Sequence, residues 1–384
     1  MDTLTQTRAM LGDLIAFPTV SSESNLDIIA YLAERLEGAG ARVETIPDAT
    51  GEKANLFATL GPDVAGGLVL SGHTDVVPVK DQVWASDPFE MVERDGRLFG
   101  RGSCDMKGFV AACTVMAPHF AARVTDRPVH FAFTYDEETG CFGAEALVKS
   151  LADMGIRPSL AIVGEPTSMR VIDGHKGCYE YTTHFSGLAG HGSAPDLGVN
   201  AVEFAAQFVS KIIALKDELP ARVPEGSNFV PPYTTLNTGS LIGGVAHNVI
   251  PDCASVAWDM RPVQPSDAVF VKDALERLCE DDLLPAMRQV DPEATITTEV
   301  LAEVEGLLPM EENPARDLVM DLTGANGTDL VAFGTEAGLF QQAGMSVAIC
   351  GPGSIEQAHK ADEYLDIDQL ALCLGMLERL GDRL

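Results

Sequence analysis

Positive charge is what this chain has least of. Its 384 residues carry 26 lysines and arginines against 57 aspartates and glutamates, a formal charge of −31. Nucleic acid and anionic membrane both demand a cationic footprint on a partner, so neither is expected here. Small substrates, cationic ones included, suit such a balance. Long apolar runs are missing too: no stretch reaches the roughly 20 residues that a bilayer-spanning helix requires. The opening Met1-Asp2-Thr3-Leu4-Thr5-Gln6 has neither the basic start nor the apolar stretch of an export signal, so a cytoplasmic location is expected. The eight cysteines (104, 113, 141, 178, 253, 279, 350 and 373) are scattered, with no C-x-x-C pair. That spacing argues against a disulfide scaffold and for reduced thiols. Internal repeats, low-complexity tracts and flexible linkers are also absent.

What remains is a globular composition, 46% hydrophobic and 22% charged. The length exceeds what one core commonly supports, so two domains are expected. Strand-like runs at 55–60, 68–71, 129–135 and 160–163 alternate with helical patterns at 26–36, 109–120 and 143–154. Such alternation predicts an α/β fold with a mostly parallel sheet covered by helices. After about residue 174 the order becomes strand, helix, strand, strand, helix, strand. This βαββαβ pattern predicts an inserted α+β domain over 175–302, with 1–174 and 303–384 forming the first domain.

Within that frame, Ser71-Gly72-His73-Thr74-Asp75 follows an apolar strand-like run, Leu68-Val69-Leu70. Asp105, Glu137-Glu138, Glu165 and His359 then follow in order. Two imidazoles and several carboxylates, near strand ends and in Gly-rich turns, form a ligand set for a pair of borderline divalent ions. The pattern predicts a metallohydrolase. His73 and Asp75 would share a face of a regular strand, letting Asp75 orient the ring through its non-ligating nitrogen. Asp105 lies in a turn with Gly100, Gly102 and Gly108, where its carboxylate would bridge two ions or cap the following helix; the bridge is the expectation. Glu137 and Glu138 are adjacent and diverge, so one would ligate while the other holds a water as general base. Glu165 and His359 would complete the two ion positions. Cys104 and Cys141 are expected to line the pocket without ligating. His191, flanked by glycines, is placed to reach another group, and Arg261 at a strand end is placed to grip a carboxylate.

Together these segments resemble the M20 family of dinuclear zinc amidohydrolases and peptidases, almost end to end. Gly164-Glu165-Pro166-Thr167, His175-Lys176-Gly177, Gly334-Thr335-Glu336-Ala337-Gly338 and the run from Gly351-Pro352-Gly353-Ser354 through His359 to Leu365 are most similar to its acetylornithine deacetylase branch. The resemblance implies two Zn2+ per chain, with Co2+ or Mn2+ as substitutes. His73, Asp105 and Glu165 would hold one ion; Asp105, Glu138 and His359 would hold the other. It implies Glu137 as general base and His191 as an oxyanion donor across a homodimer interface of the inserted domain. Asn248, Arg261, Lys176 and the amides of Gly353 and Ser354 would bind substrate. The implied reaction is deacetylation of N2-acetyl-L-ornithine to L-ornithine and acetate, in arginine biosynthesis, by attack of a metal-bridging hydroxide. Rival expectations are a succinyl-diaminopimelate desuccinylase, an aminoacylase, a carboxypeptidase or a catalytically silent metal-binding dimer.

Overall fold

Asp2 accepts a hydrogen bond from the Thr5 amide and so starts α1 (Thr3–Ile15). The protein is described here by a computed structural model covering residues 1–384. In α2 (Leu26–Gly38), Ile28, Ile29, Leu32 and Leu36 form the buried stripe that their spacing predicts. Next come β1 (Arg42–Pro47), β2 (Ala54–Leu60) and β3 (Leu68–His73), then the short pair β4 (Val92–Arg94) and β5 (Arg97–Phe99). The first stretch ends with α3 (Gly108–Ala121), β6 (Val129–Thr134), α4 (Phe142–Met154), β7 (Leu160–Pro166) and β8 (Ile172–His175). Apolar residues surround α3 on nearly every side, from Phe109 and Val110 to Met116 and Phe120, which makes it an interior helix.

The middle of the chain forms β9 (Cys178–Ser186), β10 (Gly190–His191), α5 (Ala201–Glu218), β11 (Thr235–Gly243), β12 (Val249–Ile250), β13 (Cys253–Arg261), α6 (Pro265–Arg277), α7 (Leu284–Arg288) and β14 (Thr295–Val304). Four of these strands make an antiparallel sheet in the order β11-β13-β9-β14. Burial alternates along β9 and β13, so one face of the sheet is covered. Trp258 anchors this second core: it stacks on Tyr181 at 4.3 Å and its indole nitrogen donates to Thr183 Oγ1 at 3.1 Å.

The return stretch contains α8 (Pro314–Thr323), β15 (Asp329–Val331), α9 (Ala337–Gln342), β16 (Ser346–Gly351), β17 (Tyr364–Asp366) and α10 (Ile367–Gly381). The large sheet has eight strands in the order β1-β2-β6-β3-β7-β16-β8-β15. Its centre, β6-β3-β7-β16, is parallel. The pairs β1–β2, β2–β6 and β16–β8 are antiparallel. The expected mixed α/β fold with a mostly parallel sheet and a separate antiparallel one is therefore present. Because the four central strands point the same way, their carboxyl ends gather the segments that follow them.

Two compact units result: Met1–Gly174 with Pro309–Leu330 and Thr335–Leu384, and His175–Leu308 with Val331–Gly334. No helix is long and apolar enough to cross a membrane.

Two buried histidines make stability depend on pH. His130 on β6 lies 2.9 Å from Thr59 Oγ1, and His175 pairs with the Lys176 carbonyl at 2.8 Å. Burial lowers each imidazole from 6.5 to about 4. The unfolded chain takes up these protons below its own pKa, while the folded chain stays neutral until about 4. The stability they contribute is thus fully present above 6.5 and is lost as pH falls toward 4, by up to about 3 kcal/mol each. A His130→Gln variant should show a shallower loss of melting temperature between about pH 7 and about pH 4.5 than the parent chain. Thermal unfolding followed by circular dichroism measures this directly.

Candidate metal centre

The centre starts where β3 stops. His73 is its last residue and is fully buried. Nδ1 of the ring donates to the main-chain oxygen of Asp75 at 2.9 Å, which turns Nε2 toward Asp105 Oδ1, 3.0 Å away. Glu165, at the end of β7, brings Oε1 to 4.0 Å from the same Nε2. On the other side of Asp105, Oδ2 lies 3.4 Å from His359 Nε2, which in turn meets Glu138 Oε2 at 2.9 Å. One carboxylate therefore faces two imidazoles, one with each oxygen. His73, Asp105 and Glu165 form one group of convergent donor atoms, and Asp105, Glu138 and His359 form another. Within each group the donors lie within 4.8 Å of one another.

Local structure explains how distant residues meet here. Close approach of β16 to β7 needs glycine: a Cβ on Gly351 would sit 1.9 Å from the Gly164 carbonyl oxygen, one residue before Glu165. His359 itself adopts a left-handed backbone conformation, φ +61°. Asp75 departs from its expected contact. Its carboxylate stands 3.6 Å from His73 Nδ1, outside hydrogen-bond range, and accepts instead from Ser21 Oγ at 2.7 Å. It also accepts from the Glu137 amide at 3.2 Å and the Glu138 amide at 3.4 Å. Asp75 thus aims the turn that carries both glutamates. Lys53 Nζ holds the preceding Asp136 at 2.6 Å.

Negative charge is crowded in this neighbourhood. Burial pushes the carboxyls of Glu137, Glu138 and Glu165 above the usual carboxylate range, and neighbouring carboxylates add to the effect. Burial opposes ionisation of Asp105 as well, but hydrogen bonds from His359 and His73 outweigh it and hold its pKa below the ordinary value. Hydrogen bonds to Asp105 and Glu138 raise His359 to about 10. His73 is raised in spite of its burial, through Asp105 and Asp75. Glu165 Oε1 is buried and has no hydrogen-bond partner. An orphaned carboxylate oxygen, crowded carboxylates and two imidazole edges are the donor set that divalent cations satisfy. Cys104 and Cys141 belong to neither group: Cys104 Sγ donates to the Ser354 carbonyl at 3.2 Å, and Cys141 Sγ lies 3.7 Å from Glu137 Oε1.

Two of the remaining expected site residues, Gly353 and Ser354, lie on the segment that leads to His359, and the Ser354 carbonyl meets Cys104 beside Asp105. Gly353 adopts φ +89°, its amide pointing at Gln369 Oε1, 3.4 Å away. Ser354 makes an isolated antiparallel bridge with Thr167. The second unit holds the others. His191 is exposed, and its Nδ1 lies 2.7 Å from Ser193 Oγ and 3.2 Å from the Ser193 amide. The Asn248 carbonyl takes the Gly192 amide at 2.8 Å. Lys176 is buried, donates to the Tyr233 carbonyl at 2.8 Å and is lowered by burial to about 8. Arg261 is engaged already, 3.2 Å from Glu180 and 3.3 Å from Asp259.

Sequence reasoning passed over two polar groups that brace the segments around the centre. Ser21 was one. The other is Glu336, a fully buried carboxylate that accepts from Ser71 Oγ in β3 at 2.6 Å and from Thr134 Oγ1 at the end of β6 at 2.8 Å. Only its place in a recognised motif, beside Thr335 and Gly338, marked it.

Comparison with known proteins agrees with this geometry. The sequence profile of peptidase family M20/M25/M40 matches residues 69–383. Acetylornithine deacetylase of Shigella sonnei (strain Ss046) is 37% identical over 364 residues, covering 92% of this chain and 91% of that protein. The M20 family metallo-carboxypeptidase Sso-CP2 of Sulfolobus solfataricus superposes with a TM-score of 0.76 at 16% identity, over 99% of each chain. The YXEP protein of Bacillus subtilis, described as a dinuclear metal binding peptidase of the M20 family, gives 0.65 at 15% identity, over 99% of this chain and 97% of its own.

Proposed function

The chain belongs to peptidase family M20/M25/M40 and is an amide hydrolase, and from that premise we propose that it deacetylates N2-acetyl-L-ornithine to L-ornithine and acetate. The observation that carries this reading is Asp105 facing two separate donor groups, together with the 37% identity to an acetylornithine deacetylase over 92% of the chain. His73, Asp105 and Glu165 hold one Zn2+ in this proposal; Asp105, Glu138 and His359 hold the second. When bound, such a pair supplies Lewis-acid activation of the acetyl carbonyl and of a water. Carboxylates and imidazoles accept Co2+ and Mn2+ too, so the ion is assigned as zinc by family likeness.

Glu137 is the carboxylate of the cluster that neither donor group uses. It takes the proton from the attacking water and returns it to the leaving amine, while Asp75 holds the turn that aims it. His191, an exposed imidazole, serves as donor to the developing oxyanion. Arg261 and Asn248 bind the substrate carboxylate, Arg261 by exchanging one of its present acidic partners, and Lys176 and the Gly353 and Ser354 amides are further substrate-binding groups in this proposal. The enzyme works as a homodimer through the second unit. An edge strand of that unit's sheet, β11, and its flank leave Leu241, Ile242 and Val245 exposed, which supports this surface as the contact. A cytoplasmic location fits a biosynthetic role on a small metabolite.

Three measurements test the reading. Zinc-reconstituted enzyme should hydrolyse N2-acetyl-L-ornithine in preference to N-succinyl-diaminopimelate and N-acetyl-methionine; a reversed preference would move the protein to another activity of the family. Glu137→Gln should lower kcat by about 10²–10⁴-fold while keeping its metal. Metal analysis after dialysis should find two ions per chain in the parent, one in Glu165→Ala or His359→Ala, and none in Asp105→Ala.

A further inference from the structure

β17 pairs antiparallel with β5, setting Tyr364 opposite Phe99 and Leu365 opposite Leu98. The ladder extends one step further, the Gly100 amide donating to the Glu363 carbonyl at 3.0 Å. This pairing lays the segment that carries His359 against the turn that carries Asp105. Between them lies a single carboxylate, Glu363, only 1% exposed. Its Oε1 accepts the Cys104 amide at 2.9 Å and the Asp105 amide at 3.0 Å. Its Oε2 accepts the Gly102 amide at 3.0 Å and Arg101 Nη1 at 2.8 Å.

The same guanidinium also reaches the His359 side. Nη1 also approaches the Lys360 carbonyl at 3.2 Å, and Nη2 donates to Gln82 Oε1 at 2.6 Å. Gln82 Nε2 then donates to the main-chain oxygen of His359 at 2.9 Å. One connected set of hydrogen bonds therefore begins at the Asp105 amide and ends at the His359 carbonyl. Neither Glu363 nor Arg101 belongs to a donor group of the centre.

We propose that Glu363 and Arg101 are a positioning pair that sets the spacing between Asp105 and His359, and with it the affinity of the ion those two residues share. A carboxylate is required at 363 because four donors converge on it, and ionised Glu offers acceptor sites on both oxygens. Glutamine would turn its NH2 group toward one of these two pairs of donors, donor against donor. Arg101 is required because its planar fork serves Glu363, Lys360 and Gln82 at once, which an ammonium cannot do in one plane. The inference rests on the dinuclear reading of Asp105.

The test measures metal dissociation constants by chelator competition, alongside kcat and KM. Glu363→Gln should weaken both ions, because Asp105 is common to both, by about 10–100-fold, with kcat falling and KM unchanged. Gln82→Ala, at a half-buried side chain, should weaken only the ion on the His359 side and leave the melting temperature of the metal-free chain unchanged. Asp366→Asn, which breaks the exposed Arg97–Asp366 pair in the same strand ladder, should change none of these values. Parental metal affinity in both Glu363→Gln and Gln82→Ala overturns the positioning role alone. A parent chain that binds no metal overturns the dinuclear reading and this inference with it.

Discussion

Repulsion among carboxylates is the constraint on which this site depends. Asp105, Glu137, Glu138 and Glu165 share one low-dielectric neighbourhood, and the charges acting against them there come from His73 and His359. A carboxylate taken out of water costs several kcal/mol unless a cation answers it. Protons on the two imidazoles meet part of that demand, and their raised pKa values express it. A pair of divalent ions meets it more completely. The surplus of 57 acidic over 26 basic residues works in the same direction at longer range, enriching cations around the protein.

Much of the fold was legible because long elements carry period and apolar runs that short ones lack. The α2 stripe, the fully buried β3 and β6 and the order of the second unit's longer elements follow from spacing, while the two-residue strands β10 and β12 and the short α7 do not. The three-residue strands β4, β5 and β17 are too short to show any period, yet they place Glu363. The centre divides along the same line. His73, Asp105, Glu138, Glu165 and His359 stand out through residue type and glycine-rich context, and the fold draws them together. Partners that act through backbone amides leave no such mark: Glu363 reads as one more acid in Asp362-Glu363.

Two differences have physical reasons that only pairing reveals. The expectation for Asp75 assumed a strand continuing past His73, but β3 ends there, so the two-residue alternation lapses and the carboxylate turns toward the Glu137 and Glu138 amides. Arg261 read as a free strand-end cation. The register of β13 against β9 sets Asp259 opposite Glu180, and this acidic pair lies within reach of the guanidinium. Any grip on a substrate carboxylate must compete with those two.

The chain separation inside the Glu363 brace has a meaning for biosynthesis. The Asp105 amide waits 258 residues for its acceptor. During translation the turn bearing Asp105 is made early, while the carboxylate that organises it arrives only after the whole second unit has been synthesised. Folding in order of emergence can complete that second unit first, with its own core around Trp258. A nascent chain therefore carries Asp105 in an unbraced loop through most of its synthesis. Assembly of the two donor groups becomes a late event, completed in a nearly finished protein.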